Sequence, residues 1–141
     1  METKILQVII IDDDWVFLQL IHDQITQRLN ADVRLFTSTE DCLKAKHINP
    51  DFIFLDYHLE GSDEYTLDGF QSIEKLKKKY PYNDIIMISG KEDLEYLSKC
   101  LEYGASDYLA KSEFTASAVQ FIIQEKYYGL FDKTEPEPIS S

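Results

Sequence analysis

The sequence predicts one α/β domain built on an open parallel β-sheet. Two observations support that prediction. Short β-branched runs alternate five times with longer segments of helical spacing, which is typical of an α/β protein. The first run, Leu6–Ile11 (LQVIII), is almost continuously apolar, as expected of a strand buried on both faces of a parallel sheet. A chain of 141 residues has the length of one domain with a proper core.

The remaining strands are predicted from similar short apolar runs. In chain order they are 33–36 (VRLF), 52–55 (FIFL), 85–88 (IIMI) and Asp107–Ala110 (DYLA). Right-handed crossovers between parallel strands place helices on both faces of such a sheet. Functional groups then gather at the carboxyl ends of the strands.

The helices are predicted mainly from apolar residues three and four positions apart. The stripes are Leu18, Ile21, Ile25 and Leu29 in the first helix, Phe70, Ile73, Leu76 and Tyr80 in the third, Leu94, Leu97 and Leu101 in the fourth, and Val119, Ile122, Ile123 and Tyr127 in the fifth. The second helix is predicted from a capping box at Ser38 and Asp41 and extends through Lys46. Pro81 ends the third helix, and Gly104 is expected as the C-cap glycine of the fourth.

The composition disfavours several classes of function. Lys and Arg number 14 against 26 Asp and Glu, and the formal charge of −12 disfavours nucleic-acid binding, which depends on clustered basic residues. The one basic run, 75–79 (KLKKK), is interpreted as a solvated helix face. No apolar run approaches the roughly 18 residues of a membrane helix. The N-terminus shows no secretory signal, and we therefore expect a cytoplasmic protein without membrane contact.

Cysteine spacing and tail composition complete the outline of the domain. Cys42 and Cys100 lack a C-x-x-C spacing and are interpreted as small core or helix-face residues, which disfavours a zinc site or a disulfide. We assign residues 1–131 to the folded domain. The polar, proline-rich residues 132–141 (DKTEPEPISS) are expected to form a flexible tail or the start of a linker.

Polar side chains follow four of the predicted strands at the same edge of the sheet. Asp12 and Asp13 follow the first strand, Asp56 the third, Ser89 the fourth and Lys111 the fifth. Each has a simpler explanation on its own, since an acid after a strand often only caps the next helix and a serine or lysine there is often a turn or surface residue. Their joint placement favours a functional site.

The residue types at this edge indicate the chemistry. Three converging carboxylates repel one another unless a cation lies between them. With oxygen ligands alone, and no histidine pair or thiolate nearby, the expected ion is Mg²⁺. A metal on aspartates beside one ammonium and one hydroxyl is typical of phosphoryl transfer. An Asp56 oxygen would attack phosphorus while Mg²⁺ and Lys111 neutralise the oxygens of the transferred group.

Four separated motifs in the sequence resemble the receiver domain of two-component response regulators. They are I-D-D-D at 11–14, F-L-D-Y-H-L at 54–59, I-S-G at 88–90 and G-A-S-D-Y-L-A-K at 104–111, and the resemblance spans about residues 4–130. It implies a flavodoxin-like, doubly wound sheet of five parallel strands in the order 2-1-3-4-5.

The resemblance also implies a regulatory function rather than an enzyme. Asp56 would be the phospho-acceptor, taking a phosphoryl group from a sensor histidine kinase or phosphotransfer protein. Asp12 and Asp13 would hold Mg²⁺ together with Asp56, and the backbone carbonyl of His58 would be a further ligand. Phosphorylation would change the face formed by the fourth helix, fifth strand and fifth helix, which would then bind an output domain or protein, or a second copy in a homodimer.

Three further positions are implied to act in the switch, and two features depart from the family pattern. Lys111 would bind a phosphoryl oxygen, while Ser89 would turn toward the phosphoryl group and Tyr108 would change rotamer with it. Ser112 stands where most receivers have a proline, so we expect a trans peptide after Lys111 and a serine free to cap the last helix. The loop 60–68 is longer than usual and is expected to be a tolerated insertion or a gate at the site.

Two other function classes remain open. The run from Asp12 to Val16 also satisfies D-x-D-x-V, the nucleophile motif of haloacid dehalogenase-type phosphatases, although Asp56 precedes both Ser89 and Lys111, which is the wrong chain order for that family. A receiver-like interaction module that no longer accepts phosphate is the other alternative, and the full set of site residues argues against it.

Overall fold

The structure, a computed structural model, describes residues 5–56, 69–89 and 94–128 of the chain. Its strands are β1 Leu6–Ile11, β2 Ala31–Phe36, β3 Phe52–Asp56, β4 Asp84–Ser89 and β5 Asp107–Ala110. Its helices are α1 Trp15–Arg28, α2 Thr39–Lys44, α3 Gly69–Lys79, α4 Leu94–Tyr103 and α5 Ala116–Ile123. A 3₁₀ turn at Lys111–Glu113 follows β5, and a π-helical turn at Gln124–Tyr128 continues α5.

The five strands form one parallel sheet in the order β2-β1-β3-β4-β5. This order confirms the predicted doubly wound fold. In the three described stretches of the chain, no helix combines the length and the apolar character needed to cross a membrane.

The two faces of the sheet bury separate apolar clusters, because successive side chains of a strand point to opposite faces. Ile10 of β1 packs in a cluster with Ile25 of α1 and Val119 of α5. Its neighbour Ile9 packs in the other cluster with Ile73 of α3. Helices therefore cover both faces, which explains why β1 is apolar almost throughout.

Both cysteines lie in the core, as the sequence predicts. Cys42 of α2 and Cys100 of α4 are free thiols buried in the cluster that contains Ile9. Burial raises the pKa of the Cys42 thiol to about 11, and the nearby charge of Lys79 offsets only part of this effect.

Helix α2 is shorter than predicted. It ends at Lys44 rather than Lys46, because Ala45 is already extended and its carbonyl accepts a hydrogen bond from Lys79 Nζ at 2.8 Å. Lys79 of α3 thus donates a hydrogen bond at the carboxyl end of α2. The interpretation of the run 75–79 as a solvated face is therefore incomplete.

Among the described residues, side-chain oxygens cap helices at their N-termini at Asp14, Ser38 and Thr115. The cap at Ser38 is as predicted. The expectation that Ser112 caps the last helix is wrong, because Ser112 lies within the 3₁₀ turn and the Thr115 hydroxyl accepts the N–H of the first turn instead. The peptide between Lys111 and Ser112 is trans, as expected.

Gly104 ends α4 as predicted, with a φ of +123°. The N–H of Ala105 donates to the Cys100 carbonyl at 3.0 Å and the N–H of Gly104 to the Leu101 carbonyl at 3.2 Å, which is the pattern of a Schellman cap. A Cβ at this position would lie 3.0 Å from Lys77 Cγ. The left-handed backbone conformation therefore favours glycine, and any larger residue would also press on the Lys77 side chain.

Three of the expectations fall outside the described residues. They concern His58, the lengthened loop 60–68 and the tail 132–141.

Candidate functional site

The register of the sheet brings the predicted residues to one edge. Asp12 directly follows β1, and Asp56 is the last residue of β3, one position beyond Leu55, which pairs with Ile11. Because β1 and β3 are neighbours, their carboxyl ends lie side by side. The N–H of Asp12 also donates to the Phe36 carbonyl at 3.0 Å, which fixes the chain as it leaves the strand.

Three carboxylates converge at this edge. Asp12, Asp13 and Asp56 each offer one oxygen, and these oxygens lie within 4.8 Å of one another. Asp12 is 0% exposed and Asp56 2% exposed, whereas Asp13 is open to solvent. Two buried acids and one accessible acid form an all-oxygen donor set of the kind that a hard divalent cation prefers.

Lys111 supplies the positive charge of the site. Its Nζ lies 2.9 Å from Asp12 Oδ2 and 3.5 Å from Asp56 Oδ2, and its side chain is 31% exposed. Partial burial lowers the pKa of Lys111, but the carboxylates of Asp12 and Asp56 raise it by more, and the net pKa lies above the ordinary value of 10.5. The ammonium is therefore charged at neutral pH.

The turn after β1 orients the Asp12 carboxylate. Asp12 Oδ1 accepts the N–H of Asp14 at 2.9 Å, which leaves Oδ2 facing Lys111. Asp14 Oδ1 in turn accepts the N–H of Phe17 at 3.1 Å as the N-cap of α1. Asp14 therefore has the structural role that the sequence allowed for an acid at this position.

Sequence reasoning missed the aromatic residues beside Lys111. The Nζ atom lies 5.2 Å from the ring centroid of Phe17, whose ring contacts that of Phe114 at 5.4 Å. Phe17 comes one turn after Asp14, and Phe114 comes three residues after Lys111. These two spacings are the only sign in the sequence that Phe17 and Phe114 lie near the site. They become informative only once α1 and the end of β5 are known to lie at the same edge of the sheet.

The remaining predicted residues are placed less completely. Ser89 ends β4, and its backbone pairs with Ala110, the residue before Lys111. Tyr108 lies on β5 and is 42% exposed. His58 lies outside the described residues. Acidic oxygens, one ammonium and the end of β4 therefore share one edge of the sheet, an arrangement suited to phosphoryl transfer to a carboxylate.

Comparisons with known proteins point to one family. The family model described as the response regulator receiver domain matches residues 8–122. The probable C4-dicarboxylate response regulator DctR of Halalkalibacterium halodurans is 26% identical over 136 residues, which cover 94% of this chain and 56% of the relative. The transcriptional regulatory protein MalR of Bacillus subtilis is 30% identical over 110 residues, covering 75% of this chain and 44% of the relative. The chain thus spans about half the length of these relatives.

Solved structures share the fold. A response regulator protein from Burkholderia pseudomallei, crystallised with a phosphorylated aspartic acid, a calcium ion and citrate, superposes with a TM-score of 0.74 at 24% identity, covering 92% of this chain and 73% of that one. A CheY-like receiver domain protein from Methanospirillum hungatei gives a TM-score of 0.77 at 21% identity, covering 92% and 99%.

Proposed function

The chain belongs to the response regulator receiver domain family, and from that membership we propose that it is a phosphorylation switch whose acceptor is Asp56. The observation that supports this most directly is the convergence of Asp12, Asp13 and Asp56 within 4.8 Å, with the Lys111 ammonium against two of them. The phosphorylated aspartic acid in the Burkholderia pseudomallei relative supports the same assignment.

The proposed chemistry is the transfer of one phosphoryl group. An Asp56 carboxylate oxygen attacks phosphorus, an O–P bond forms, and the N–P bond to the histidine of a sensor kinase or phosphotransfer protein breaks, with the imidazole as leaving group. The Lys111 ammonium lies 3.5 Å from Asp56 Oδ2, close to where negative charge would gather on the transferred group.

The donor set fits a divalent metal. Asp12, Asp13 and Asp56 would hold Mg²⁺, with the backbone carbonyl of His58 as a further ligand, and the calcium ion of the Burkholderia pseudomallei relative is consistent with such a site. When bound, Mg²⁺ supplies positive charge that neutralises phosphoryl oxygens. The chain itself contributes the fixed carboxylates and the ammonium.

The output of the switch is proposed at the face formed by α4, β5 and α5. Ser89 is the last residue of β4, and Lys111 directly follows β5. A new charge on Asp56 would draw both residues toward it. Tyr108 would then turn inward from its exposed position. The altered face would bind an output domain or protein, or a second copy of the chain. The domain would act in the cytoplasm and would catalyse only its own phosphorylation and dephosphorylation.

The test is phosphorylation by a small donor. Purified chain incubated with phosphoramidate and Mg²⁺ should gain the mass of one phosphoryl group, and the modification should be labile to acid and absent from Asp56→Asn. Asp32→Asn, which changes an exposed aspartate of β2, should retain it.

Other outcomes of this experiment favour the other classes. No modification of the wild-type chain would identify an interaction module that does not accept phosphate. In a parallel incubation with a generic phosphate ester and Mg²⁺, many turnovers would identify a phosphatase. Either result contradicts the proposed switch.

A further inference from the structure

The Lys111 ammonium contacts three groups on three different elements. Asp12 Oδ2 lies at 2.9 Å and Asp56 Oδ2 at 3.5 Å, at the ends of β1 and β3. The third neighbour is the ring of Phe17 in α1, with its centroid 5.2 Å from Nζ. That separation lies within the range of about 6 Å in which a cation is attracted to an aromatic face.

The Phe17 ring is itself held in place. Its centroid lies 5.4 Å from the centroid of the buried Phe114 ring, and the two ring planes make an angle of 45°. Phe114 stacks on Phe54 at 5.5 Å and 29°. Phe54 precedes Asp56 by two residues and therefore faces the same side of β3. Three rings thus connect the Lys111 ammonium to the strand that carries the proposed phospho-acceptor.

We propose that Phe17 is a positioning residue that holds the Lys111 ammonium in register with Asp56 for phosphoryl transfer. This proposal rests on the proposed function. A lysine side chain has four rotatable bonds and a strongly hydrated head, so its orientation is lost unless neighbouring groups restrict it. An aromatic face attracts the charge without competing strongly for its N–H donors, which remain available for carboxylate and phosphoryl oxygens.

The kinetic test compares variants in phosphorylation by phosphoramidate with Mg²⁺. Phe17→Leu keeps an apolar side chain but removes the aromatic face, and we expect a rate lower by roughly 2- to 30-fold, the range that a cation–π contact spans. Phe17→Tyr restores the face and should restore the rate. The matched control is Tyr82→Leu, an aromatic residue that is 98% exposed before β4, at the opposite end of the sheet, and it should leave the rate unchanged.

A double variant separates positioning from general packing. In a Lys111→Ala background, Phe17→Leu should cause no further loss, because the group that Phe17 positions is gone. An equal loss in both backgrounds would overturn the proposal. An unchanged rate in Phe17→Leu alone would also overturn it.

A spectroscopic test needs neither phosphorylation nor a variant that folds. A proton near an aromatic face is shifted upfield, so the ε-methylene protons of Lys111 in the wild-type chain should resonate upfield of those of the solvent-exposed lysines. If these protons show ordinary shifts, Phe17 does not hold the ammonium. If Asp56 is never phosphorylated, the proposed function fails, and this measurement still decides whether the contact exists.

Discussion

Asp12, Asp13 and Asp56 place three carboxylates next to the Lys111 ammonium, and among the residues that the structure describes negative charge is in excess at this site. A buried carboxylate without sufficient compensation costs free energy, and among the described residues Lys111 supplies part of that compensation. The fold tolerates this cost at one edge of the sheet while the rest of the strands bury apolar side chains. A bound divalent cation would relieve the repulsion, and metal binding would then be coupled to stability.

Mg²⁺ should therefore stabilise the chain. At tenfold excess over its dissociation constant, one bound ion adds about 1.4 kcal/mol to the free energy of unfolding. Asp13→Asn removes an exposed carboxylate of the proposed metal site without disturbing the core, and it should reduce the gain at the same Mg²⁺ concentration, whereas Asp32→Asn should not. Urea unfolding with and without Mg²⁺ measures this, and an equal gain in all three proteins would place the ion elsewhere.

Cys42 should make stability depend on alkaline pH. Burial raises the pKa of its thiol to about 11, above the ordinary value of 9.0. Below pH 9 the thiol is protonated in both states. Between pH 9 and 11 the Cys42 thiol ionises only in the unfolded chain. Ionisation therefore favours unfolding, and the free energy of unfolding falls as pH rises.

The size of the effect follows from that pKa difference. From pH 8 to pH 10 the wild-type chain should lose about 1 kcal/mol more stability than Cys42→Ala, because tyrosines and lysines titrate alike in both proteins. Urea unfolding at the two pH values measures both slopes. Parallel slopes would contradict the assignment of the shift to burial of this thiol.

At the scale of elements, short polar contacts decide where helices begin and end. The hydroxyl of Thr115 accepts an N–H of the first turn of α5, and Lys79 donates to the Ala45 carbonyl just past α2. The first contact is local and is readable from the sequence as Thr before an apolar run. The second joins α3 to α2 across 34 residues, and no local pattern predicts it.

The competing N-caps of α5 can be told apart by substitution. Thr115→Ala should lower the free energy of unfolding by about 1 kcal/mol, the usual cost of losing an N-cap oxygen. Ser112→Ala should change it by only a few tenths, because this exposed serine lies in the 3₁₀ turn and caps no helix. Chemical unfolding of the two variants gives the comparison, and a larger loss for Ser112→Ala would show that the turn, rather than Thr115, anchors α5.

At the scale of the whole molecule, the sequence was sufficient to predict the sheet and the convergence of Asp12, Asp13, Asp56 and Lys111 at one of its edges. The ends of β1 and β3 can be predicted because the sequence changes abruptly there from apolar residues to Asp12 and Asp56. Because the two strands are parallel neighbours in the sheet, these ends lie side by side. The contact of Phe17 with Lys111 was not predictable in the same way. It depends on where α1 lies relative to the Lys111 side chain, which no spacing along the chain encodes.

The strand order also predicts which elements would respond to phosphorylation of Asp56. β4 and β5 lie on one side of β3, and β2 lies on the other side beyond β1. The side with β4 and β5 contains Ser89 and Lys111. It also carries exposed aromatic residues, with Phe121 of α5 63% exposed, and an ion pair of 3.7 Å between Lys126 and Asp107 that ties the π-helical turn to β5. A charge added to Asp56 should therefore act on residues 94–128 and leave β2 nearly unchanged.

Beryllofluoride, a mimic of the phosphoryl group, tests this directly. In the presence of Mg²⁺ it should shift the backbone amide resonances of 94–110 and 116–128 and leave those of Ala31–Phe36 near their original positions. In Asp56→Asn, beryllofluoride should shift the resonances of neither 94–110 nor 116–128. A ligand only redistributes states that differ in affinity for it, so shifts that saturate with beryllofluoride report the population moved. Equal shifts in β2 and β5 would indicate a general loosening of the fold, and the proposed output face would then be wrong.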